Sequence, residues 1–114
     1  MSINPMLLCD FYKTTHSRQF PKGTTELTSY FTPRMSRLTN INSIVVFGVQ
    51  AFCQEYLIDY FDEHFFQRNL ADVTNEIETV LDNTIGKKNY DSTKFVDLYH
   101  LGYLPVEINA LPEG

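Results

Sequence analysis

The chain has 114 residues, 43% apolar, 14% aromatic and 20% charged, with a formal net charge of −5. That length holds one domain and one core but not a (β/α)₈ barrel of roughly 200 residues or more, and the composition excludes disordered, collagenous and low-complexity classes. The acidic balance argues against a general nucleic-acid surface, and the apolar run that starts at Ile44 breaks at Gln50, short of the roughly 18 residues a membrane span needs. Neither nucleic acid nor membrane is therefore expected as a partner. Asn4-Pro5 opens the structured part as a turn, and residues 6–9 form a short apolar run, either a strand or a buried first turn. Residues 10–19 read as a short helix capped by Asp10 and ended by Pro21 and Gly23. Residues 24–32, rich in Thr, Tyr and Phe, read as a strand with Leu27 and Phe31 on one face, ended by Pro33.

Residues 35–43 are polar and lead into a helix capped near Asn42 or Ser43. Val45, Val49, Phe52, Tyr56 and Tyr60 recur at helical spacing, which makes this helix the expected centre of the core. A second helix is predicted over residues 69–85, with Val73, Ile77, Val80, Leu81 and Ile85 on its apolar stripe and Asp72, Glu76, Glu78 and Asp82 elsewhere; Gly86 caps its end. Asp91 or Ser92 caps a third helix through Phe95, Leu98 and Leu101, stopped by Gly102. Residues 104–111 return to extended structure, and Pro112-Glu113-Gly114 reads as a turn leading onward, so the chain is expected to be a piece of something longer. With no internal repeat and no linker, residues 1–114 form one unit.

The N-terminus has no basic region and meets Asp10 after a short apolar stretch, which predicts no secretory signal and a cytoplasmic protein. Cys9 and Cys53 are too far apart for CxxC chemistry and are expected as buried thiols. Charge is uneven along the chain. Residues 1–37 carry Lys13, Arg18, Lys22, Arg34 and Arg37 against Asp10 and Glu26, whereas residues 38–114 carry four basic residues against twelve acids. A short basic stretch in an acidic chain suits a confined anion such as a phosphate, or is ordinary solvated charge.

The scattered glycines form neither GxGxxG nor a P-loop, and no serine sits in a nucleophile elbow. Asp59, Glu63 and His64 lie close in sequence, but His64 points about 100° away from Glu63 on a helix, so a solvated face is expected and no metal site. His100 reads as a packed or surface histidine. What remains is a basic segment bearing aromatics: Asp10, Phe11, Tyr12, Lys13 and His16, then Tyr30, Phe31 and Arg34. A ring can stack on a flat heterocycle and a guanidinium can hold a phosphate bidentately, although plain core packing accounts for the same composition.

The run Leu7-Leu8-Cys9-Asp10-Phe11-Tyr12-Lys13-Thr14-Thr15-His16-Ser17-Arg18-Gln19-Phe20-Pro21 resembles the opening of the nicotinamide phosphoribosyltransferase family, with its DxYKxxHxxQYP pattern. Ser29-Tyr30-Phe31 with Arg34, Val46-Phe47-Gly48-Val49-Gln50 with Glu55-Tyr56-Leu57, and Leu104-Pro105-Val106-Glu107-Ile108 with Ala110-Leu111-Pro112-Glu113-Gly114 agree in order. Phe20 stands where the family has Tyr, and Cys9 before Asp10 is unusual for it. The resemblance implies an α+β fold: the N-terminal α/β domain of a type II phosphoribosyltransferase, with helices packed on a small sheet and the barrel absent. It implies a transferase of NAD salvage that makes nicotinamide mononucleotide and pyrophosphate from nicotinamide and phosphoribosyl pyrophosphate.

The same resemblance implies a homodimer with shared sites, in which this segment donates residues to the partner subunit. Tyr12 would stack on nicotinamide, Asp10 would neighbour the pyridine and Arg34 would bind phosphate, with Lys13 and His16 in supporting roles. The catalytic residues lie on the barrel, so none is expected here and the chain alone is expected to be inactive. No cofactor is expected on this chain; magnesium would accompany phosphoribosyl pyrophosphate in the complete enzyme. The competing expectation is a non-catalytic remnant or interaction module of the same family. A free-standing nucleotide-binding protein would need more phosphate ligands than one arginine.

Overall fold

The computed structural model describes residues 3–10, 13, 18–87 and 89–114, and among them every regular element is helical. Pro5–Leu7 is one 3₁₀ turn, with proline in its first turn and the Asn4 side chain accepting the Met6 N–H at 3.1 Å. Proline suits that place because its missing N–H would have had no partner there. Helix α1 starts at Val49–Phe52 and widens into π-type winding over Cys53–Tyr60 and Asp62–Phe66. Helix α2 is Leu70–Thr84 and helix α3 is Thr93–Leu101.

Local sequence explains where α2 and α3 stop and start. Asn69 accepts the Ala71 and Asp72 N–H groups and caps α2, and Gly86, at φ +91°, follows its last turn. Asp91 accepts the Thr93 N–H at 2.9 Å ahead of α3, and Gly102, at φ +86°, ends it. Helix α1 begins later than its apolar pattern implies. Gly48 takes a left-handed φ of +83° and blocks upstream propagation, so Asn42 and Ser43 cap nothing.

The core is Phe61, Phe65, Val73, Ile77 and Leu81, from the end of α1 and one stripe of α2. Val73, Ile77 and Leu81 of the expected α2 stripe are buried while Val80 and Ile85 are half-buried, and the α1 face is not the expected one: Val45 is 67% exposed and Phe52 49% exposed. A winding wider than 3.6 residues per turn keeps side chains four apart in line, so Phe61 and Phe65 face α2 while Phe52, Tyr56, Tyr60 and His64 form a separate row. Their rings follow one another at 5.2, 5.5 and 4.2 Å between centroids, the first two pairs stacked and Tyr60–His64 tilted.

The expected sheet does not form, and the α+β reading is corrected to a helical one among the described residues. Residues 24–45 run exposed throughout. Leu27 and Phe31, expected to face a core, are 67% and 100% exposed. Extended backbone becomes a strand only when a neighbour takes up its N–H and C=O groups, and among the described residues none does so for this stretch. The cysteines differ from expectation too: Cys9 is exposed and Cys53 only half-buried.

Candidate functional site

The N-terminal segment that carries the expected site residues is anchored to the helices at its root. Asn4, 5% exposed, donates its side-chain amide to a Glu76 carboxylate oxygen at 3.2 Å and to the Val73 carbonyl at 3.5 Å. Glu76 also receives both ends of the Arg68 guanidinium, at 2.8 and 2.5 Å. A planar guanidinium matches two carboxylate oxygens at once, which fixes the carboxylate in orientation as well as place. The Arg68 bond, and less strongly the Asn4 bond, holds the Glu76 carboxyl below its ordinary range despite partial burial, and Glu76 in turn raises Arg68. One residue further out, the Tyr60 hydroxyl accepts the Ile3 N–H at 2.9 Å and donates to the Ile3 carbonyl at 2.7 Å. The Tyr99 hydroxyl donates to the Arg68 carbonyl at 2.5 Å, tying α3 to the same corner.

Beyond this anchor the segment opens to solvent. Asp10 is exposed and pairs with Lys13 at 3.8 Å, a contact one turn long. Tyr12 and His16 lie outside the described residues. Arg34 is exposed on the extended stretch after Pro33. Neither Asp10 nor Arg34 lines any of the three best-formed clefts on the described surface. A cleft of about 620 Å³ flanks the anchor, bordered by Ile3, Asn4, Leu7, His64, Arg68 and Glu76. Another, of about 730 Å³, lies between α1 and the C-terminal segment, where Gln50 N–H donates to Glu113 at 3.1 Å. A third, of about 480 Å³, is lined mainly by Leu57, Ile58, Leu104, Val106 and Ile108.

His64 is not a freely solvated histidine: its ring packs tilted against Tyr60 and lies 3.8 Å from Glu63. Among the described residues no group of three or more His, Cys, Asp or Glu converges to hold a metal ion, so no magnesium ligand set is drawn from them. No helix among them is long and apolar enough to cross a membrane.

Sequence reasoning found the Asn4-Pro5 turn but missed its partners. Glu76 reads from sequence as one more acid on the polar side of α2, and Arg68 as an isolated charge. The available signal was the asparagine itself, a polar residue within an apolar N-terminal run, whose amide has to be satisfied if that run packs.

Comparison with known proteins bears on the same segment. The family model described as nicotinamide phosphoribosyltransferase, N-terminal domain, matches residues 4–108. The nicotinamide phosphoribosyltransferase of Acinetobacter baylyi is 42% identical over 117 residues, an alignment covering 98% of this chain and 23% of the relative. The chain thus spans about a quarter of the length of that curated relative. No solved structure matches it. With the match beginning at the buried asparagine and running through all three helices, the chain belongs to the nicotinamide phosphoribosyltransferase family, in its N-terminal domain.

Proposed function

We propose that this chain is the N-terminal part of an enzyme that joins nicotinamide to phosphoribosyl pyrophosphate, giving nicotinamide mononucleotide and pyrophosphate. The observation that carries this reading is the family match, which includes the run from Asp10 to Pro21. In this reading the chain supplies binding groups and the rest of the enzyme supplies the chemistry. Tyr12 offers a ring face to the pyridine, Asp10 a carboxylate beside it, and Arg34 a guanidinium to phosphate. Magnesium enters with phosphoribosyl pyrophosphate, held by its phosphates.

The exposure of Asp10 and Arg34 supports donation to a site completed elsewhere, as in a homodimer with shared sites. The test is an enzyme in which this chain replaces the matched portion of the Acinetobacter baylyi relative. Stacking of a heterocycle on an aromatic ring is worth about 1–3 kcal/mol, so Tyr12→Ala raises KM for nicotinamide about tenfold to a hundredfold and Tyr12→Phe leaves it near its starting value. Arg34→Ala raises KM for phosphoribosyl pyrophosphate instead, and Arg34→Lys restores only part, because a point charge lacks the bidentate fork. Sharing is read by mixing Tyr12→Ala subunits with subunits inactivated in the catalytic portion. Regained activity supports it; no gain, with subunit exchange demonstrated, refutes it.

A further inference from the structure

The buried amide of Asn4 has more partners than a turn requires. Its Oδ1 accepts the Met6 N–H and so shapes the Pro5–Leu7 turn, which needs nothing else from it. Its Nδ2 reaches across to α2, where Glu76 stands already oriented by two bonds from Arg68. Arg68 is itself fixed from behind, its carbonyl accepting the Tyr99 hydroxyl. The consequence is a chain of contacts, charge-assisted at Glu76, that runs from the third helix, through the link between α1 and α2, to a point six residues before Asp10. Surface ion pairs contribute little by themselves, but a bidentate pair that also receives a buried amide sets a direction in space.

We propose that Asn4, Glu76 and Arg68 form a positioning clamp that sets the path of the N-terminal segment, and through it the placement of the nicotinamide-binding residues. This rests on the function proposed above. Tyr60 extends the clamp outward by holding both backbone groups of Ile3, so the segment is fixed on two successive residues before it leaves the helices. The three residues act through Asp10 and Tyr12; none is assigned contact with substrate.

Two variants separate the clamp from the turn. Asn4→Asp keeps an oxygen for the Met6 N–H but sets a carboxylate against Glu76 with nothing to donate. Adding Glu76→Gln to Asn4→Asp returns a donor to the contact with its direction reversed, while Arg68 loses its ionic partner. Amide hydrogen exchange on the 114-residue chain reads the clamp itself. In Asn4→Asp the amides of Ile3, Leu7 and Leu8 exchange about tenfold faster or more, the loss of a hydrogen bond to a charged group, while those of α2 keep their rates. The double variant returns them toward the starting rates.

In the substituted enzyme described above, Asn4→Asp raises KM for nicotinamide by about tenfold with kcat within about twofold, and the double variant recovers it in part, since a donor returns to the contact but the bidentate Arg68 pair does not. Unchanged exchange at Ile3, Leu7 and Leu8 overturns the clamp, and so does equally accelerated exchange in α2, which marks a merely structural role. If Tyr12→Ala raises KM but Asn4→Asp leaves it unchanged, the positioning claim fails and the functional reading stands. If both leave it unchanged, the functional reading fails and the positioning claim with it.

Discussion

Phe65 shows how few side chains the helical unit depends on. It is 1% exposed, lies edge-on to Tyr99 with ring centroids 5.8 Å apart, and is one of five residues in the core cluster. Phe65→Ala removes the larger part of the only phenylalanine among them that is 1% exposed and is expected to cost about 3–5 kcal/mol, enough to unfold a small domain; loss of the helical circular dichroism transition checks it. Glu76 is the polar counterpart. Its folded carboxyl is held below its ordinary range, chiefly by Arg68, so its contribution is fully present above the ordinary glutamate value of about 4.3 and disappears as pH falls through the lower folded value. Acid titration followed by proton NMR is therefore expected to show release of the Ile3, Leu7 and Leu8 amides in that window, and Glu76→Gln is expected to remove this acid-dependent release.

At the scale of elements, α2 organises the rest. Its buried stripe receives Phe61 and Phe65 from α1, its Glu76 receives the N-terminal segment, and its Asp82 receives the Tyr90 hydroxyl at 2.5 Å. That last bond fixes the link between α2 and α3 where the chain turns back. It also pushes the Tyr90 hydroxyl up to about 12, with Asp82 as the largest cause. Between the ordinary tyrosine value of about 10 and that raised value, the unfolded chain has released its proton while the folded chain keeps it. Stability from this contact is thus fully present below the lower value and is lost as pH rises through the upper one. Ultraviolet titration of tyrosine ionisation is expected to show one phase delayed toward pH 12, absent in Tyr90→Phe.

The whole molecule exposes 9488 Å² and has a radius of gyration of 16.9 Å. A compact chain of this size would expose about 6,400 Å² with a radius of about 13 Å. The excess lies in extended stretches that carry Tyr30, Phe31, Met35 and Phe47 into solvent at 82% exposure or more. Exposed apolar surface of that extent drives association. The isolated chain is expected to self-associate, with light scattering showing mass that rises with concentration; a monodisperse monomer counts against it. It is also expected to form no nicotinamide mononucleotide by mass spectrometry, since positioned charge is the main contribution to such catalysis and the chain spans only about a quarter of the length of the curated relative.

By itself the sequence determined what short-range chemistry decides. The stripe of Val73, Ile77 and Leu81, the Asn69 cap, the Asp91 cap and the glycines after α2 and α3 all act within a few residues of where they stand, so periodicity and capping rules located those helices. The motif from Asp10 to Pro21 likewise disclosed the family without any coordinates. Tertiary structure decided everything that needed a partner far along the chain. Residues 24–32 had the composition of a strand, but a strand also requires a neighbour's backbone, and none pairs with them among the described residues. The start of α1 depended on Gly48 and on Glu113, 63 positions from the amide it receives, and Asn4 met Glu76 across 72. A local pattern records how a segment prefers to bend; which surfaces then meet is fixed by burial and hydrogen-bond satisfaction over the whole chain.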